Sequence, residues 1–231
     1  MMAAGIGIEI VTAVQERDLA VQTRLLVVLG LLRHPLPGKP MAEPALPIFR
    51  SVDDFLDWET RQPERYEFVA GVLTMMAGGT ENHDLIGSNA IGLLFERLRG
   101  GPCRVHGSNL KVRSPAGAIM YPDAFVRCGP GVGDRSVVDD PVVVIEVLSP
   151  TTQQADLTRK RWAFQDIPTL RAILFVAADE SRVELSVRGA DGAWLSTFIT
   201  GLAADVPLES LNLALPMAEL YAGADLGGAA A

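Results

Sequence analysis

The sequence predicts a mixed α/β domain, and three observations carry that prediction. Apolar runs too short for helices, chief among them Pro141 to Pro150, have the length and β-branched content of buried strands. The stretch from Glu81 to Arg99 places Ile86, Ala90, Leu93 and Leu94 on one helical face and is stopped by Gly100-Gly101. Segments of the two kinds alternate along the chain.

Residues 1 to 40 are an appendage. Leu25 to Leu32 is apolar but far shorter than the roughly 20 residues of a membrane span, with no basic stretch or cleavage site framing it. His34-Pro-Leu-Pro-Gly-Lys-Pro40 reads as a linker, because prolines remove backbone donors and fix φ. The domain is expected over 41–222, with Met41 as one candidate start, and residues 223–231 are expected to be a disordered tail ending in Gly227-Gly-Ala-Ala-Ala231.

Ser51-Val-Asp-Asp54 has capping-box spacing, and Val52, Phe55 and Leu56 give a stripe for a helix ending near Glu59. Arg65 to Met75 reads as a hairpin turning at Ala70-Gly71. After the long helix, strands are expected near 103–113, 121–128 and 142–148. Thr151 to Gln154 then caps a helix ending near Asp166, and Leu170 to Ala177 is the next strand. Val183, Leu185 and Val187 alternate with polar residues as in a strand with one solvated face, and Gly189 to Gly192 turns the chain toward Trp194 to Ile199.

Composition narrows the function classes. With 231 residues, 48% hydrophobic and 21% charged, the chain is ordinary for a globular protein and long enough for a sizeable core. Its 28 acidic and 20 basic residues give a net charge of -8, which removes the broad basic footprint of a strong nonspecific nucleic-acid binder. Any such binding must be local. Cys103 and Cys128 lack zinc-ligand spacing and mark no secreted disulfide framework, so they are expected to be reduced, packed thiols in a cytoplasmic protein.

Chemistry is concentrated in a few residues. Glu146 interrupts Val142-Val-Val-Ile145 and Val147-Leu148, where an unpaired carboxylate would be costly to desolvate. It needs a partner. Asp123, in Tyr121-Pro-Asp-Ala-Phe-Val126, is the second strand carboxylate; alternation puts Tyr121, Asp123, Phe125 and Arg127 on one face, and Val144, Glu146 and Leu148 share another. If the strands are neighbours, the carboxylates converge. Lys160 follows on a helix, with Leu157 and Phe164 at core-facing spacing, so its ammonium can be carried toward the sheet. Two carboxylates and a lysine suit a Mg²⁺ hydrolytic site, with Mn²⁺ as a substitute, since hard divalent cations prefer carboxylate oxygens and polarise phosphates. Each residue also has a plainer reading: Asp123 a turn or strand-edge residue, Glu146 a structural ion pair, Lys160 a solvated helix residue, Glu67 a partner of Arg65 or Arg61, His83 a packing or capping residue. His34 and His106 carry no motif.

The ordered set Tyr66-Glu-Phe-Val-Ala-Gly71, Asn82-His83, Tyr121-Pro-Asp123, Val144-Ile-Glu-Val-Leu-Ser-Pro150 and Asp156 to Lys160 resembles the Putative restriction endonuclease family of bacteria, within the PD-(D/E)XK nuclease superfamily. The resemblance spans roughly Phe49 to Tyr221. It implies a restriction-endonuclease-like core, a central mixed sheet flanked by helices, and a Mg²⁺-dependent endonuclease acting on DNA. It further implies Asp123 and Glu146 as metal ligands, Lys160 as the lysine displaced from strand to helix, and Glu67 as an added acidic member, with His83 a candidate general base or phosphate contact. Position 148, where the superfamily motif places the lysine, is Leu148, and acidic residues common in the family's first hairpin are replaced by Ala70 and Val72. The alternatives are a nuclease-fold binding or regulatory module without efficient cleavage, and a metal-dependent hydrolase of another phosphodiester. DNA is the expected partner, no membrane is, and a homodimer is left open.

Overall fold

Among the described residues Glu81–Leu98 is the longest helix, and its reason is local: the Thr80 side chain accepts the His83 N–H at 3.3 Å, and Ile86, Ala90 and Leu94 fall on one buried face. The computed structural model describes residues 47–76, 78–131, 133–149 and 154–227, the side chains of Gln154 and Ala155 excepted. The expectations for residues 1–40, for Met41, for a cap at Thr151 to Gln153 and for residues 228–231 lie outside the described residues. From Ile48 onward the contacts form one unit.

The first described helix, α1, is Val52–Glu59, and Ser51 caps it by accepting the Asp54 N–H at 3.0 Å. The hairpin follows as β1 (Tyr66–Val69) and β2 (Val72–Met75), with Val69 opposite Val72. That register leaves a two-residue turn in which both Ala70 (φ 51) and Gly71 (φ 79) are left-handed, the geometry that matches the twist of paired strands. The helix Glu81–Leu98 is α2.

The stretch expected as one strand over 103–113 is two, β3 (Cys103–Gly107) and β4 (Lys111–Arg113), which enter different sheets. The expected strand 121–128 likewise begins later. Ile119–Met120 is β5, Tyr121 to Asp123 is a connecting bend, and β6 is Ala124–Cys128. Then come β7 (Val137–Val138), β8 (Pro141–Leu148), helix α3 (Gln154–Gln165), β9 (Ala172–Ala177), β10 (Arg182–Arg188) and β11 (Trp194–Thr200). The chain continues with a hairpin of β12 (Asp205–Leu208) and β13 (Leu213–Pro216), and a short helix α4 (Met217–Leu220).

The main sheet runs β11-β10-β9-β8-β6-β3, with β8 and β9 parallel and joined through α3, and the other pairs antiparallel. It is a mixed sheet, as expected. A second sheet runs β2-β1-β5-β4-β7. One face of the main sheet, with Val126, Val143, Ile145, Val147 and Leu174, packs under α2, β13 and α4. The other face, with Phe125, Val144, Ile173 and Phe175, packs under Leu157 and Phe164 of α3 and under Val69, Val112 and Met120 of the second sheet. Glu146 therefore points into the gap between the main sheet, α3 and the second sheet.

Three expectations are corrected. Cys103 and Cys128 are not free thiols: they stand opposite each other in the β3–β6 register and form a disulfide. The polar face of β10 is only partly solvated: Arg182 is exposed, but the polar residues after it are covered. Ser186 is fully buried, and the Glu184 carboxylate is held by both outer nitrogens of Arg161 from α3, at 2.5 and 2.8 Å. Residues 223–227 are anchored, because the Asn82 side chain donates to Asp225 O at 2.6 Å and accepts the Asp225 N–H at 3.0 Å. Among the described residues no helix is long and apolar enough to cross a membrane.

Candidate functional site

Antiparallel register explains why the two strand carboxylates meet. Ala124 of β6 faces Ile145 of β8, so the residue before Ala124 falls beside Glu146. Asp123 is locked there by the β8 backbone: its Oδ2 accepts the Val147 N–H at 2.7 Å. Asp123 itself forms a bend ahead of β6, so its place at the end of β8 rests on the Val147 hydrogen bond and not on strand alternation with Phe125.

Lys160 extends from α3 into the same gap. Its ammonium lies 2.9 Å from Glu67 Oε2 and 3.4 Å from both oxygens of Glu146. Glu67 comes from β1, and its other oxygen accepts the Tyr121 N–H at 2.8 Å. One acidic side chain thus fixes the lysine on one side and the bend carrying Asp123 on the other. His83, in the first turn of α2, sets Nε2 3.4 Å from Asp123 Oδ2. Gly79 makes room for it, since a Cβ there would stand 2.8 Å from the His83 Nδ1. All five residues singled out in the sequence, Glu67, His83, Asp123, Glu146 and Lys160, line one open cleft of about 730 Å³.

Electrostatics separates their states. Burial dominates at Glu146 and, with Asp123 and Glu67 nearby, pushes its pKa up to about 8 against the opposing pull of Lys160. Burial works against the Lys160 charge too, but Glu146 and Glu67 outweigh it and hold its pKa above the ordinary lysine range. Lys160 therefore stays an ammonium, and it sits closer to Glu67 than to Glu146. Glu146 is left under-compensated. The hydrogen bond to Asp123 raises the pKa of His83 against the effect of burial.

The donor set fits a hard divalent cation. Glu67, Asp123 and Glu146 would carry three negative charges when ionised, and Lys160 supplies one positive charge, leaving a deficit that a divalent ion balances. Among the described residues no three His, Cys, Asp or Glu side chains are grouped so as to hold a metal ion by themselves. A divalent cation bound here would rest on one or two carboxylates, with water or substrate oxygens completing its shell.

A buttress behind the cleft escaped the sequence reading. The Tyr121 hydroxyl donates to Glu59 Oε1 at 2.7 Å, and Lys111 Nζ lies 3.1 Å from Glu59 Oε2, all three side chains being largely buried. Burial and the bond to Glu59 push the Tyr121 phenol above the usual range. The signal was available: Glu59 follows Phe55 by one helical turn and so lies on the buried face of α1. His106 is remote from the cleft chemistry, its ring stacked on Phe125 at 5.0 Å and its pKa lowered by burial.

The profile of a family described as Putative restriction endonuclease (Uma2) matches residues 52–218. The uncharacterized protein slr1290 of Synechocystis is 32% identical over 178 residues, covering 75% of this chain and 92% of that relative. A second Synechocystis protein, sll1609, also uncharacterized, is 26% identical over 164 residues, covering 69% and 93%. Among solved structures, a putative nuclease of DUF820 from Anabaena variabilis superposes with a TM-score of 0.62 at 18% identity, covering 74% of this chain and 97% of that one. This last likeness bears on the fold, which is restriction-endonuclease-like.

Proposed function

The chain belongs to the Putative restriction endonuclease family, and on that premise we propose that it is a divalent-metal-dependent endonuclease that hydrolyses DNA phosphodiester bonds at the Asp123–Glu146 cleft. The observation that carries the reading is the under-compensated Glu146 carboxyl, buried beside Asp123 with a lysine it must share with Glu67. A purely structural ion pair has no need of the third carboxylate.

In this reading Asp123 and Glu146 hold Mg²⁺, with Mn²⁺ as a substitute. The cation would supply Lewis-acid polarisation of a phosphoryl oxygen and a lowered pKa for water at the site. The protein's own groups do the rest. Asp123 is positioned by the Val147 N–H, so its reach into the cleft costs no reorganisation. Lys160, held by Glu67, keeps a positive charge where negative charge gathers on the phosphate during attack. His83 can hold a proton against Asp123 and orient that carboxylate.

The net charge of -8 and the acidic cleft favour weak, local binding of substrate. A binding module without cleavage is separated by the same experiment that tests the enzyme. Supercoiled, linear and single-stranded DNA are incubated with the full chain in Mg²⁺, Mn²⁺ or EDTA, beside Glu146→Ala. Metal-dependent nicking that E146A abolishes supports the proposal; no nicking by the wild-type chain in either metal would overturn it.

A further inference from the structure

The cleft does not end at Asp123. A second open cavity, of about 460 Å³, meets the first at Met76, Gly78, Gly79, His83 and Asp123 and continues away from it past Arg65 and Ser108. The candidate centre thus reaches the junction of two arms through Asp123 and His83, while Glu67, Glu146 and Lys160 line the first arm beside it. Each arm contains one arginine. In the first, Arg159 of α3 is held by Asp156, Nη2 to Oδ1 at 3.2 Å, while its Nε is buried and has no hydrogen-bond partner. In the second, Arg65 donates to Ser108 O at 3.2 Å and to Asn109 Oδ1 at 2.6 Å, with its guanidinium 5.8 Å from the centroid of the Tyr121 ring.

Resting on the proposed nuclease reading, we infer that the junction is the middle of a phosphate track. Arg159 in one arm and Arg65 in the other contact backbone phosphates on opposite sides of the phosphodiester that lies over Asp123 and Glu146.

Three points carry this. Lys160 is consumed by Glu67 and Glu146, so it cannot also anchor flanking phosphates. Both guanidiniums are pre-oriented by protein acceptors, which leaves less rotamer entropy to lose on meeting an anion, and the fork geometry of arginine suits phosphate oxygens. The Arg159 side chain lines the first arm and stays 32% exposed, so a phosphate can approach its guanidinium from the cleft. The arms also carry acids, Glu64 and Asp84 in the second and Asp156 in the first. On so acidic a surface, two placed cations have to select a strand that threads both arms. A compact phosphodiester would occupy one arm only and gain from one arginine at most.

The test is binding, read without turnover. Fluorescein-labelled oligothymidylates, a dinucleotide and a dodecanucleotide, are titrated with the full chain in Ca²⁺ by anisotropy at several salt concentrations, for wild type, Arg159→Gln, Arg159→Lys and Arg65→Gln. The dodecanucleotide should bind more tightly. R159Q and R65Q should each weaken it roughly fivefold to tenfold and lower its salt slope by about 0.7, and R159K should restore the slope. Equal affinity for the two lengths, or unchanged binding in both variants, would overturn the track, as would a loss confined to one arginine. Should R159Q fail to fold, an unaltered affinity in R65Q, or in R159K a salt slope short of the wild-type value, refutes it. Binding with this pattern but without cleavage in Mg²⁺ or Mn²⁺ leaves the track standing and removes only the catalytic reading.

Discussion

Glu146→Gln separates metal binding from folding, because it keeps the size and hydrogen-bonding capacity of the side chain and removes its charge. In the folded chain without metal, burial pushes the pKa of the Glu146 carboxyl up to about 8 from its ordinary value of 4.5. A raised carboxyl pKa means that the folded state binds the extra proton. Stability should therefore fall as pH rises from the unfolded value toward the folded one, by up to about 1.4 kcal/mol per pH unit. At pH 7 the accumulated cost is on the order of 3 kcal/mol, and the glutamine variant should recover most of it. For a domain of this size that is a rise of roughly 6 to 12 °C in Tm. The assay is thermal and urea unfolding between pH 5 and 9 in EDTA, repeated with Mn²⁺. Wild type should gain about 2.7 kcal/mol at a metal concentration one hundred times Kd, and E146Q should gain little. A variant that lost stability in EDTA and kept its Mn²⁺ response would make Glu146 a structural ion-pair member and refute the reasoning.

Three further outcomes follow from the same contacts. Lys160→Met leaves Glu67 and Glu146 buried without their cation and should cost about 3 kcal/mol by urea unfolding at pH 8; the loss should shrink at pH 5.5, where Glu146 is neutral in either protein. Tyr121→Phe removes the donor to Glu59 and should cost about 1 to 2 kcal/mol in the same assay. Cys103→Ser opens a loop of sequence separation 25 and should lower stability by about 3 kcal/mol; equal melting points for wild type and variant under non-reducing conditions would show that the bond contributes nothing.

What could be read from the sequence was what is decided locally or by burial. Ser51 and Thr80 cap helices through residues three positions on, and the Ala70-Gly71 turn follows from its two flanking strands. Glu146 declared itself because a charge among valines is expensive, and the spacing of Leu157 and Phe164 correctly turned Lys160 inward. Features set by partners far along the chain were not legible. The split of β3 from β4 and the short strands of the second sheet depend on pairing with β1, β5 and β7. The Cys103–Cys128 bond depends on the β3–β6 register, which no spacing rule supplies. The β12–β13 hairpin and α4 drew no expectation, although Val206, Leu215 and Met217 complete the core under α2. Asp123 arrived at the site by a bend and a backbone hydrogen bond, not by the alternation that suggested it.

The central claim is that Asp123 and Glu146 together bind a divalent cation, and calorimetric titration of Mn²⁺ into the metal-free full chain tests it most directly. Wild type should bind at a site that both Asp123→Asn and Glu146→Gln abolish, with circular dichroism unchanged in each variant. The same heat of binding in all three proteins, or none in wild type, would contradict it.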